Sequence, residues 1–110
     1  MESLTRPVLF GYQSVRLNAP EDALARGERS LKGYAEREGY SLGTIFVEQD
    51  PDRPLSALNA LMDAARREGV KAVAVPTPLD LGQVARVRHL TRRKLQNEGQ
   101  LRVLVVEPER

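Results

Sequence analysis

Hydrophobic and polar positions along this chain switch between two periods. Pro7 leads into Val8-Leu9-Phe10-Gly11-Tyr12, a short apolar run of strand formers that predicts a buried first strand. A polar loop follows from Ser14 to Pro20. Pro20 and Asp22 open a helical pattern with Leu24, Leu31, Tyr34 and Ala35 on one face, Arg26, Arg29 and Arg37 on others, and Gly39 as its stop. Ser41 to Val47 predicts a second strand, carried by Ile45, Phe46 and Val47. The loop from Glu48 to Pro54 holds two prolines and three acids, which forbid regular structure and make it long enough to wall a site. Pro54 suits the first position of the next helix, whose apolar stripe is Leu55, Leu58, Leu61, Met62 and Ala65 and whose end is Gly69.

Ala72-Val73-Ala74-Val75 is apolar throughout, as a parallel strand covered on both faces would be, and Pro76-Thr77-Pro78 stops it. From Gln83 to Asn97 a third helix is predicted, with Val84, Val87, Thr91 and Leu95 on the core side, Leu90 at the flank, and Arg86, His89 and Arg93 facing away. Gly99 closes it, and Leu101 to Val106 is a fourth apolar strand. The order β-α-β-α-β-α-β, with connections too long for hairpins, predicts a three-layer α/β domain with a mainly parallel four-stranded sheet between helices.

Composition keeps this picture and narrows its setting. The 110 residues suit a single domain, 1–110 with a core over 7–108, and the 41% hydrophobic and 29% charged content is that of a globular chain. No apolar run approaches the roughly 20 residues of a spanning helix, so no membrane role is expected. The N-terminus has an acidic second residue and no apolar core, so a cytoplasmic location without a secretory signal is expected. The absence of Cys excludes disulfides, thiolate metal sites and cysteine nucleophiles. A ratio of 14 Arg to 3 Lys points to a GC-rich bacterial or phage source.

The common α/β chemistries fail on the residues they need. Gly11 is followed by Tyr12-Gln13-Ser14 rather than by the glycines a dinucleotide turn requires, and no Gly-Lys pair precedes a Ser or Thr as in a P-loop. The first and third strands end in Gln13-Ser14 and Pro76-Thr77, not in clustered carboxylates that would hold a metal. His89 has no second histidine beside it and reads as a solvated side chain. No metal and no small-molecule cofactor is therefore expected. Charge says more: 17 Lys and Arg against 15 Asp and Glu give a net +2, but Gln83 to Arg102 alone carries +5. Arg86, Arg93 and Lys94 on that helix are the candidates for contact with nucleic acid, since arginine suits bidentate phosphate contacts. A solvated basic helix is the other reading of the same residues.

Four segments, in this order and spacing, resemble the N-terminal catalytic domain of the serine recombinases, the resolvase/invertase family. They are Phe10-Gly11-Tyr12-Gln13-Ser14-Val15-Arg16, Tyr34-Ala35-Glu36-Arg37-Glu38-Gly39-Tyr40, Asp52-Arg53-Pro54-Leu55 with its Leu-rich helix, and Leu79-Asp80-Leu81-Gly82-Gln83. The resemblance implies a resolvase-like, Rossmann-like fold and a site in which a serine attacks a DNA phosphate while arginines neutralise it. It also implies that the family's motif is degenerate here. Ser14 stands at the motif's arginine position and Arg16 at its nucleophile position. Arg53 keeps the arginine of Asp-Arg-Pro, while the family's Asp-Arg-Leu-Gly-Arg segment has lost its acid and both arginines, with Asp80 able to supply the acid by a one-residue slip.

Arg16 and Arg53 are thus the phosphate-binding candidates, with Ser14, Asp80 and Gln83 on the pocket rim. Losing several charge-stabilising groups costs a few kcal/mol of barrier each, so a catalytically inactive domain serving as a DNA-associated or regulatory binding module is expected. A protein-interaction or dimerisation module that binds no nucleic acid is the alternative, supported by the apolar surface a truncated fold exposes. A second alternative is a weak strand-cleaving enzyme using Ser14, which would sit about 6 to 7 Å from the family's nucleophile position.

Overall fold

The structure is a computed structural model, and it describes residues 5–16, 18–49 and 55–107. Its elements run β1 (Val8–Ser14), α1 (Ala23–Glu38), β2 (Ser41–Glu48), α2 (Ser56–Glu68), β3 (Ala72–Val75), a 3₁₀ turn (Pro78–Leu81), α3 (Ala85–Asn97) and β4 (Arg102–Val105). All strand pairs are parallel and the sheet order is β2-β1-β3-β4. Between Leu9 and Gly11 the β1–β2 register slips by one residue on the β2 side, at Gly43-Thr44.

The pleat of β1 sorts the core. Phe10 and Tyr12 point to the face covered by α2 and α3, where Leu58, Leu61, Met62, Val73, Val75 and Leu95 pack around them. Leu9 points to the opposite face, against Leu31 and Ala35 of α1 and Ala72 and Ala74 of β3. Helices thus cover both faces of an all-parallel sheet, the arrangement such a sheet needs. Gly11 faces α1, and a Cβ there would press on Leu31 and Ile45, so only glycine lets α1 lie this close. Gly39 and Gly69 end α1 and α2 at φ of 81° and 73°, as left-handed caps.

Several sequence expectations shift. β1 continues beyond Tyr12 to Ser14, and its first residue, Val8, is exposed. Leu24, Val84 just before α3, and Val87 and Leu90 of α3 are exposed too, Val84 by 58% and Val87 by 45%. Val84 falls in front of the helix, which begins at Ala85 after the 3₁₀ turn, and within α3 burial starts only at Thr91 and recurs at Leu95. Pro54 as a helix start lies outside the described residues. After Asn97 the left-handed position falls on Gln100, at φ 57°, and not on Gly99. No described helix is long and apolar enough to cross a membrane.

Candidate functional site

In a sheet ordered β2-β1-β3-β4 the chain leaves β1 toward one side and β3 lies on the other, so a crevice opens at the carboxyl ends of β1 and β3. A cleft of about 480 Å³ occupies that place. Its walls are the end of β1 (Gln13, Ser14, Arg16), the start of α1 (Arg26, Arg29, Ser30), and Pro76, Thr77 and Asp80 after β3. Gly27 lets α1 close on it, because a Cβ there would land on the side-chain oxygen of Gln13. The Gln13 amide in turn donates to the Leu24 carbonyl at 3.4 Å.

Asp80 organises this cleft. It is 4% exposed, and its Oδ1 accepts from the Ser14 N–H at 2.9 Å and from Arg16 Nη1 at 3.2 Å. Oδ2 accepts from the Thr77 N–H at 3.2 Å and its hydroxyl at 3.3 Å, which closes a capping box on the 3₁₀ turn. Burial raises the Asp80 pKa above its usual value, and the hydrogen bonds from Ser14 and Thr77, with the charge of Arg16, pull it back in part. The Ser14 hydroxyl donates to the main-chain carbonyl of Asp80 at 2.8 Å. Serine, arginine and aspartate therefore form one closed set of hydrogen bonds that ties the end of β1 to the segment after β3.

A second buried carboxylate lies at the end of β2. Glu48, 3% exposed, accepts from the Tyr12 hydroxyl at 3.1 Å and from the Leu58 N–H at 3.2 Å on Oε1. Its Oε2 accepts from the Ala57 N–H at 3.2 Å and the Ser56 hydroxyl at 3.4 Å. A carboxylate placed on the first N–H groups of α2 satisfies donors that no intrahelical partner can reach. Burial, reinforced by the charge of Glu48, pushes the Tyr12 phenol well above its ordinary value.

The sequence-predicted residues divide clearly. Ser14, Arg16 and Asp80 come together. Gln83 is exposed and does not line the cleft, since the 3₁₀ turn ends at Leu81 and carries the chain away before it. Arg53 lies outside the described residues. On α3, Arg86 and Arg93 are exposed, while Lys94 pairs with Glu98 at 3.0 Å. Sequence reasoning set Arg26 and Arg29 off the apolar face of α1 without seeing them as cleft residues, and it read Glu48 as an ordinary loop acid. No local signal marks Glu48, which ends β2 eight residues ahead of α2 and meets its first N–H groups only through the fold. Among the described residues no cluster of His, Cys, Asp and Glu has the makings of a metal site.

A three-layer, all-parallel sheet with its crevice at the β1/β3 switch point defines the class: a resolvase-like α/β domain. The chain shares that fold with solved catalytic domains of serine recombinases. It is similar to the C-terminal catalytic domain of ISC1926 TnpA, an IS607-like serine recombinase, at 17% identity and TM-score 0.68, over 94% of this chain and 72% of that one. The N-terminal catalytic domain of TP901-1 integrase matches at 14% identity and TM-score 0.69, over 90% of this chain and 76% of that one. The C-terminal catalytic domain of IS1535 TnpA, also an IS607-like serine recombinase, matches at 19% identity and TM-score 0.63, over 94% and 72%. No protein-family model matches the chain, and no curated protein matches its sequence.

Proposed function

We propose that this chain is a serine-recombinase-type catalytic domain without strand-cleaving activity, working in the cytoplasm as a DNA-associated or regulatory binding module. The hydrogen bonding at the end of β1 carries the reading. A nucleophilic serine needs a free base beside it and unspent cations aimed at the phosphate. Here the Ser14 hydroxyl is donated to a main-chain carbonyl, the Asp80 carboxylate holds four donors, and Arg16 is held by that same carboxylate. Binding falls instead to the exposed cations Arg86 and Arg93 of α3 on the phosphate backbone, with Arg53, outside the described residues, as the remaining phosphate-binding candidate; Arg16, paired with Asp80, is not counted among them.

Fluorescence anisotropy with a random-sequence duplex across a salt series tests this. Each phosphate contact contributes about 0.9 to the log–log salt slope, so an Arg86/Arg93→Ala double variant is expected to bind more weakly with a slope flatter by roughly 2. Absence of binding at low salt overturns the DNA-associated reading. A covalent adduct with a suicide DNA substrate, lost in Ser14→Ala, overturns the inactive reading.

One observation favours a second reading, a protein-interaction or dimerisation module. Val84, just before α3, and Val87 and Leu90 on it leave an apolar strip exposed, with Leu90 57% exposed. A concentration-dependent dimer in light scattering, removed by Val87→Glu, together with no DNA binding, is the outcome that reading requires.

A further inference from the structure

We propose that the cleft between the 3₁₀ turn and α3 is a second, separate oxyanion site, which takes a phosphoryl group through Arg88, His89 and Arg92. The cleft has a volume of about 420 Å³ and shares no lining residue with the switch-point cleft. Its apolar lining is Pro78 and Leu81 of the 3₁₀ turn and Val105 at the end of β4, and the rest is one flank of α3. Arg88 and Arg92 stand one helical turn apart, with His89 adjacent, so all three serve the same opening.

This cleft gathers three basic side chains and no acid among its lining residues. Arg16, Arg26, Arg66 and Lys94 each have a carboxylate within salt-bridge reach. Among the described residues Arg88, His89 and Arg92 have none, and no acid lines the cleft. Arg88 is nonetheless held in place, because its Nη1 donates to the carbonyls of Gly82 and Gln83, both at 3.2 Å. Its other guanidinium N–H groups remain for a ligand. Arg92 supplies the second observation: its Nε is shielded from solvent and has no hydrogen-bond partner among the described residues. An atom that solvent cannot reach is closed to a ligand too, so the donors Arg92 offers the cleft are its Nη groups, which have no hydrogen-bond partner among the described residues.

The donor set favours phosphoryl over carboxylate. Two guanidinium charges match a phosphoryl group carrying up to two negative charges, and three donor side chains match three oxygens rather than two. The apolar lining lowers the local dielectric and strengthens each contact. The site does not depend on the reading of the chain as DNA-associated, since the same chemistry is presented by a free phosphate ester or by a nucleic-acid backbone.

The test is a titration followed by ¹H–¹⁵N correlation of the arginine Nε–H groups and the His89 ring, first with inorganic phosphate at constant ionic strength and then with a DNA duplex. Saturable movement of the Arg92 Nε–H and His89 signals is expected with phosphate. Arg92→Gln and Arg88→Gln, each checked for an unchanged circular-dichroism spectrum, are expected to weaken phosphate binding about tenfold. Arg92→Lys, which keeps the charge and loses the fork of Nη donors, is expected to recover only part of it. A duplex that moves the same signals and competes with phosphate identifies the backbone as the source, and phosphate binding without competition identifies a free phosphorylated ligand. No saturable shift with either probe, or equal affinity in the glutamine variants, overturns the proposal, whatever the anisotropy experiment on Arg86 and Arg93 finds.

Discussion

The two clefts at the carboxyl edge of the sheet hold cations under opposite conditions. At the switch point Arg16 faces Asp80, and the serine, threonine and main-chain donors around it all end on that one residue. On α3, Arg88 is pinned only by carbonyl oxygens and Arg92 has no acid near it. An arginine beside a buried carboxylate is spent on holding the fold together; one held by neutral carbonyls keeps its charge for a ligand. The same residue type thus does structural work in one cleft and is left available in the other.

Breaking the first cleft has the largest expected effect. Asp80→Ala removes the acceptor of four hydrogen bonds and leaves the Ser14 and Thr77 N–H groups unpaired, so a loss of about 3 kcal/mol is expected from urea unfolding. Glu48→Gln comes next. Its amide turns an NH₂ toward donors that need an acceptor, and a loss of about 2 kcal/mol is expected by the same measurement.

Alkaline pH sharpens the comparison at Tyr12. Its folded-state pKa is raised above the model-peptide value of 10.0, so from there upward the native chain keeps a proton that the unfolded chain has released. Stability therefore falls as pH rises through that window, by up to about 1.4 kcal/mol per pH unit. Tyr12→Phe is expected to show a flatter profile in unfolding curves taken at pH 9, 10 and 11. If both proteins lose stability equally, the Tyr12–Glu48 contact does not persist in solution. The smallest stability effect is expected for Arg86/Arg93→Ala, within about 0.5 kcal/mol of wild type, because both side chains are exposed. A larger loss in thermal unfolding would mean that these arginines, like Arg16, are committed to the fold.

Much of the architecture was legible in the residues alone. The all-apolar Ala72–Val75, the Leu-rich stripe of α2 and the glycine stops at Gly39 and Gly69 each fix a local choice that no distant contact reverses. The third helix shows where periodicity runs out. Val84 and Val87 fit the core face of a helix starting at Gln83, but the helix starts at Ala85, leaving Val84 in front of it, and its first buried residue is Thr91, so Val87 lies in solvent. Thr77-Pro78-Leu79-Asp80 does carry the spacing of a capping box with a proline at its first position, and that signal for the turn was passed over in favour of the longer periodicity.

Sequence by itself determined the class of fold, because hydrophobic period, proline and glycine act within a few residues of where they stand. The motif resemblance to the serine recombinases also grouped Ser14, Arg16 and Asp80 at one site. Only the tertiary structure decided what those residues do, since Ser14 and Asp80 lie 66 positions apart and their hydrogen bonds exist only once β1 and β3 are paired. The ion pairs divide the same way. Pairs such as Arg26–Asp22, Arg66–Asp63 and Lys94–Glu98 follow from helical spacing, but the Arg16–Asp80 pair exists only because the sheet order sets β1 beside β3.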